Sequence, residues 1–292
     1  MKQSATNNPR LLPLVHSAFL LAALVVSTSS TFSAAAGRNP QDNQSPRSLT
    51  RLQLEIEKQK QRLSSTDVDE RRDALMRLGL LHRAEASRAA VSALADSLPM
   101  IRATAACALS SLPPGESAAA LIPLLRDKDE FVRQQVSYAL GEMKNRVAVA
   151  ALVERLGTDE LDSVRGAAAV ALGQIGDDSA VIALAGVLSS GNAAQAGKKP
   201  KGTNNEFVLR AAARSLGEIG SRAGVPVLIE ALANDSVAGD VRREAALALG
   251  LIGDPAAVPA LRSAVGARDV YLSQLASESL RKIGSRAARI PS

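Results

Sequence analysis

The residue types that perform acid–base, nucleophilic or metal chemistry are scarce in this chain. Two histidines, His16 and His82, and one cysteine, Cys107, stand alone among 292 residues. A zinc or iron site needs several ligands converging from defined spacings, and neither histidine has a second histidine, a cysteine or a following glutamate to work with. His82 falls in a turn between helices and reads as a surface residue. Cys107 occupies a helical position filled elsewhere by Tyr138, Val170 and Leu247, which predicts a partly buried, inert thiol with no base to activate it. No G-x-S-x-G, H-E-x-x-H or G-x-x-x-x-G-K-[ST] pattern occurs. The expectation is a protein without catalytic residues, cofactor or metal.

Charged residues offer binding rather than catalysis. Lys198, Lys199 and Lys201 surround Pro200 in one cluster, suited to an acidic partner or an anionic surface. Arg126, Glu154, Arg155, Glu230 and Arg262 lie on helices, outside the apolar stripes of those helices, and are the candidates for contact with a partner. Nucleic acid is not expected as that partner. The chain has no tryptophan and 2% aromatic residues, so base-stacking positions are missing. Of 35 basic and 29 acidic residues, Lys2 and Arg10 lie in a segment expected to be removed, leaving a surplus of about +4.

These residues are positioned by a repeat. The stretch VRGAAAVALGQIGD at residues 164–177 is rewritten as IRATAACALS, VRQQVSYALG and VRREAALALGLIGD, and more loosely as VLRAAARSLGEIG. Its leucine recurs at Leu78, Leu109, Leu140, Leu172, Leu216, Leu249 and Leu280, at intervals of 31 to 33 residues except for one of 44. A period of this size signals stacked two-helix units. In the first helix of each unit, here helix A, an apolar residue, a small one, the leucine and a further apolar residue follow at steps of four, four and three. They share one face. Gly176 and Gly253 end helix A, and Asp177 and Asp254 cap helix B. Helix B carries its own stripe: Val149, Leu152, Leu156; Val181, Leu184, Leu188; Val225, Leu228, Leu232; and Val258, Leu261, Val265. The long interval holds SSGNAAQAGKKPKGTNNE, residues 189–206, without apolar periodicity, and predicts a flexible loop.

This register resembles HEAT-like repeats of the phycobilisome-lyase type over roughly residues 67–284. The resemblance implies an all-α, right-handed α-solenoid of about six and a half two-helix repeats, whose B helices line a concave protein-binding surface. It also implies a ladder in which Arg102, Arg133, Arg165 and Arg242 pair with nearby aspartates, the candidates here being Asp129, Asp162 and Asp240, which could also cap helix A. The register lacks that arginine at Leu209 and Ser273, so the ladder is not expected through those repeats. Enzymes share this repeat type. Deoxyhypusine hydroxylases hold two irons with histidine–glutamate dipeptides, which this chain lacks; phycobilin lyases act on pigment in the cytoplasm, and alkylpurine glycosylases of the type use aromatic side chains.

The N-terminus has the layout of a secretory signal: Lys2 and Arg10, an apolar run over residues 11–26, then small residues ending in Ala34, Ala35 and Ala36. The expected organisation is a signal over residues 1–36, a disordered lead-in over 37–47, a capping helix over 48–65 and the solenoid over 66–290. A coiled-coil role for the capping helix would need more heptads than it has. Cleavage after Ala36 would deliver the chain to a bacterial periplasm or envelope. The alternative is an inner-membrane anchor through residues 11–28, a run that Pro13 and His16 interrupt. The functional expectation is an exported, monomeric, non-enzymatic scaffold binding a protein or peptide of unknown identity on its helix-B face. An accessory subunit or a divergent enzyme of the repeat family is the alternative.

Overall fold

The computed structural model describes residues 49–193 and 206–287. Helix α1 (Arg51–Arg62) opens with a capping box, in which the Thr50 hydroxyl accepts from the Gln53 amide and the Gln53 side chain accepts from the Thr50 amide. It packs on α2 and α3 through Ile56, Leu52 and Leu63, so the first repeat is covered. Leu49 remains exposed. The signal and lead-in lie outside the described residues.

The A helices are α2 (Val68–Leu80), α4 (Pro99–Ala108), α6 (Glu130–Glu142), α8 (Asp162–Ile175), α10 (Glu206–Ile219), α12 (Gly239–Ile252) and α14 (Val270–Ala287). Between them run the B helices α3 (Ala84–Ala90), α5 (Pro114–Leu121), α7 (Val149–Thr158), α9 (Val181–Ala193), α11 (Val225–Ala233) and α13 (Val258–Val265). After α3 and α5 the chain tightens into 3₁₀ turns at Val91–Ala95 and Ile122–Arg126. Consecutive A helices pack side by side in one layer and consecutive B helices in another. Among the described residues there is no strand.

The core is the seam between the layers. Leu78, Leu109, Leu140, Leu172, Leu216 and Leu249 are fully buried, as are the small or branched residues Ala74, Ala105, Val136, Ala168, Ala212, Ala245 and Ala276 one turn earlier. Burying a leucine contributes about 1.5–3 kcal/mol, and it does so here only when the neighbouring repeat is present. The helix-B stripe is buried except in α13, where Val258 is half-buried and Val265 exposed, because no described B helix follows α13. At the long interval α9 continues to Ala193 and α10 begins at Glu206. The irregular part of the loop expected over 189–206 is therefore shorter at both ends, and residues 194–205 lie outside the described residues.

Small residues let the A helices approach. A Cβ added at Gly217 would lie 2.7 Å from the Ala248 Cα, and at Gly173 2.8 Å from the Ser215 Cα. Gly141 and Gly250 stand in the same register, 2.7 Å from the Ala171 Cα and 2.9 Å from the Ser279 Cα. The Ser215 and Ser279 hydroxyls donate back to the Ala169 and Ala246 carbonyls of the preceding A helix, at 2.7 and 2.8 Å.

Helix A ends four residues after its leucine in the left-handed region, at φ +71° for Gly176, +78° for Gly220 and +79° for Gly253. His82 and Lys144 occupy the same register at φ 48° and 50°, which is where a side chain is disfavoured. Lys144→Gly is expected to stabilise the chain by about 0.5–1 kcal/mol, the left-handed penalty less the entropy glycine brings. A urea titration reads it as a raised midpoint with unchanged slope. The following residue caps the next turn: Asp177 accepts from the Ser179 amide and Asp254 from the Ala256 amide. Asn145 does the same for Val147 and also donates to the Pro114 carbonyl and the Ser117 hydroxyl, both at 2.8 Å, pinning α7 to α5.

Candidate functional site

The recurrent arginine of helix A has two structural uses. In the first three repeats it joins the loop before its own helix to the loop after the next B helix. Arg102 grips Asp127 with Nε at 2.8 Å and Nη2 at 2.7 Å while its Nη1 donates to the Asp96 carbonyl at 2.9 Å. Arg133 grips Asp159 at 2.8 and 3.1 Å and donates to the Asp127 carbonyl at 2.8 Å. Arg71 stands 3.0 Å from Asp96 and donates to the Ser65 carbonyl at 2.8 Å. The Arg102–Asp127 side chains are 8% and 10% exposed and Asp159 only 2%. Burial alone would raise the Asp127 carboxyl, but the Arg102 hydrogen bonds and the Asp129 amide outweigh it and hold the group below 3.8.

Arg165 and Arg242 do something else. Their Nε atoms donate to the Leu156 and Leu232 carbonyls in the last turns of α7 and α11, at 3.1 and 3.0 Å, where a cation meets the negative end of the helix dipole. Arg242 also pairs with Asp235 at 2.6 Å.

Of the carboxylates expected for the ladder, Asp162 does pair with Arg165, while Asp129 and Asp240 serve otherwise. Asp129 accepts from the Phe131 and Val132 amides through its Oδ1 as the N-cap of α6, and among the described residues it makes no ion pair. Asp162 meets Arg165 within one helix turn at 3.3 Å. Asp240 pairs with Arg243 at 2.6 Å and Arg210 at 3.7 Å rather than with Arg242. The aspartates that join repeats at this spacing are Asp96, Asp127 and Asp159, and, from Arg243 one place past the register, Asp269. A sequence signal for them exists, because each stands 25 or 26 residues after its arginine.

The proposed contact residues Arg126, Glu154 and Arg155 do come together. Arg126 spans from the end of the α5 hairpin helix to Glu154 on α7 at 2.9 and 3.1 Å, and Arg155 reaches the same carboxylate at 2.8 Å. With Ile122, Pro123 and Ala151 they line an open groove of about 300 Å³. Arg155 is mostly covered and also faces Asp159 at 3.7 Å, so it is tied into the ladder; Arg126 is 71% exposed. Arg88 and Glu116 make the same exposed connection between α3 and α5 at 2.8 Å.

Hydrogen bonds from Arg126 and then Arg155 lower the Glu154 carboxyl below its ordinary 4.5. A group lowered on folding stabilises the fold above its unfolded value and stops doing so as pH falls through the folded one. The NMR titration of Glu154 is therefore expected to fall below 4.5, and Arg126→Ala to move it upward.

Glu230 and Arg262 are exposed on α11 and α13, and neither side chain takes part in an ion pair or hydrogen bond among the described residues. Lys198, Lys199 and Lys201 lie outside the described residues. Cys107 is exposed rather than partly buried. Desolvation along the A-helix layer, and secondarily Glu142, still push its thiol above 9.0, so little thiolate forms. His82 sits in the expected turn. Among the described residues no group of three or more His, Cys, Asp or Glu could hold a metal ion, and no helix is long and apolar enough to cross a membrane.

Paired helices in register, a seam of buried leucine and ion pairs linking repeat to repeat define an α-solenoid repeat protein. The HEAT repeats family profile matches residues 56–139, 118–196 and 237–291, and the PBS lyase HEAT-like repeat profile matches residues 208–234. The chain belongs to the HEAT repeat family. No curated protein sequence matches it. Among solved structures it is similar to the CpcE–CpcF complex of phycocyanin lyase from Nostoc sp., at 23% identity over 86% of this chain and 99% of that one, with a TM-score of 0.48. An engineered protein aligns at 22% identity over 78% and 68%, with a TM-score of 0.49. Human deoxyhypusine hydroxylase aligns at 19% over 80% and 96%, with a TM-score of 0.36.

Proposed function

We propose that this chain is an exported, non-enzymatic HEAT-repeat scaffold that holds a protein or peptide partner on the face formed by its B helices. One observation carries the reading. The recurrent residues of helix A are spent on packing and ladder contacts, whereas the solvent side of helix B varies from repeat to repeat and keeps exposed apolar and charged side chains, among them Ile182, Glu230 and Arg262. A repeat whose invariant positions build the array displays its variable positions for recognition. Export rests on the signal-like order of charge, apolar run and small residues before position 37.

The test is site-specific photo-cross-linking in the native host. Cross-linkers at positions 126, 182 and 262 should capture a discrete partner, while one at position 214, on an A helix, should not. Capture equal at all four positions, or at none, rejects the helix-B assignment. N-terminal sequencing of the same material should begin near Gly37; an intact Met1 overturns cleavage.

A further inference from the structure

The three B helices α9, α11 and α13 present an unusual surface. Over residues 181–190, the stretch of α9 whose side chains are described, no charge is present; α11 carries one, Glu230, and α13 one, Arg262. Ile182 is 85% exposed, beside an open Gly186 where an added Cβ would meet nothing within 4 Å. Pro226 is exposed and Ile229 half-buried on the neighbouring helix. Ile182, Pro226 and Ile229 are apolar side chains grouped on adjoining helices rather than one scattered residue, and such grouping marks an interaction surface.

The charges bordering this patch differ from those on the earlier B helices. Arg88–Glu116 and Arg126–Glu154 each place a glutamate 28 residues after an arginine, and each pair is closed. The residue 28 positions before Glu230 is Gly202, and that 28 after Arg262 is Ile290. The register that neutralises the first pairs cannot neutralise these two, and both side chains point their charge at solvent.

Resting on the scaffold reading above, we propose that α9, α11 and α13 form a docking site for one short amphipathic segment of a partner protein. Its aliphatic residues cover Ile182 and Ile229, a lysine or arginine meets Glu230, and an aspartate or glutamate meets Arg262. Neighbouring helices lie about 10 Å apart, so the two charges of the segment are separated by about 10 Å. That is seven residues in a helix or three in an extended chain.

Size and charge select this occupant. α11 and α13, of nine and eight residues, are each about 13 Å long and α9, of 13 residues, is about 20 Å, so the three offer about 450 Å², little more than half of the roughly 800 Å² per partner that a stable dimer of folded copies buries. A carboxylate within the patch opposes anionic lipid, and one arginine falls short of the four to eight basic residues that hold a protein to such a surface.

The experiment pans a random twelve-residue displayed peptide library against the purified chain. Enriched peptides should be aliphatic with one basic and one acidic residue, and a synthetic copy should bind at least tenfold more weakly to Ile182→Asp, a change at a solvent position with an unaltered melting curve. Panning against Glu230→Arg should select an acidic residue in place of the basic one. Enriched peptides that are weakened by Arg126→Glu and not by Ile182→Asp overturn this site while leaving the scaffold reading intact. No enrichment on any face, together with no cross-linked partner, removes both. Dimerisation in sedimentation equilibrium or binding to phosphatidylglycerol vesicles, lost in Ile182→Asp while peptides are not enriched, assigns the patch to a second copy or to a membrane and overturns the proposal.

Discussion

Gly217→Val should cost about 3 kcal/mol, at the upper end of what extra methyl groups cost in a tight core. The new Cβ would sit 2.7 Å from the Ala248 Cα and 2.8 Å from its Cβ. Both are fixed to the backbone of α12, so no rotamer relieves the clash; α10 and α12 must separate. Separation also strips cover from Leu216 and Leu249, which are fully buried at that joint. Because stability in such an array is carried by interfaces between neighbours, urea unfolding should split into two transitions, with the shorter C-terminal part melting first. Gly186→Ala is the matched control: its Cβ would meet nothing, and alanine is the better helix former by up to about 1 kcal/mol. A Gly217→Val chain that unfolds within 1 kcal/mol of wild type would show that the A helices are not in close contact there.

The second large effect is expected at Asp159. Its carboxylate is 2% exposed, holds Arg133 in two hydrogen bonds, faces Arg155 and accepts from the Leu161 amide. Asp159→Ala leaves the Arg133 guanidinium in a largely dry site without its counter-charge, which costs about 3–5 kcal/mol. Replacing both partners with apolar residues, Arg133→Met with Asp159→Leu, removes the buried charges together and should recover most of that loss. The double-mutant cycle in urea separates these contributions. A double replacement as unstable as the single one would mean that the pair matters for something other than mutual compensation.

Much of this architecture was legible before any coordinates. The leucine period set the helix count, the alanine before it the close layer and the glycine after it the helix stop, because each follows from local spacing and backbone preference. The ladder was half legible. Its arginines share a register, but the choice of carboxylate is made in three dimensions. Asp129 is four residues from Arg133 in sequence, yet its oxygen is already taken by the α6 amides, and the group that reaches Arg133 comes from 26 residues ahead. The sequence presents Arg155 as a contact residue because its neighbours along α7 give no hint of Asp159 beneath it. Nothing in the sequence marks Ile182, for the opposite reason. A solvent position is normally marked by charge, and α9 has none to mark it.

The buried arginine–aspartate pairs that hold two hydrogen bonds stop at Arg133, and the later carboxylates Glu244 and Asp269 share their joints with the tight glycines that run from Gly141 to Gly250. A proton can undo a carboxylate but not a glycine. As pH falls through the lowered value of Asp127, its pair with Arg102 releases while the glycine joints further along keep their grip. Unravelling in acid therefore has a polarity: it starts at the end that carries α1 and halts where chemistry gives way to shape. Hydrogen exchange at low pH would see that boundary move in from one side only.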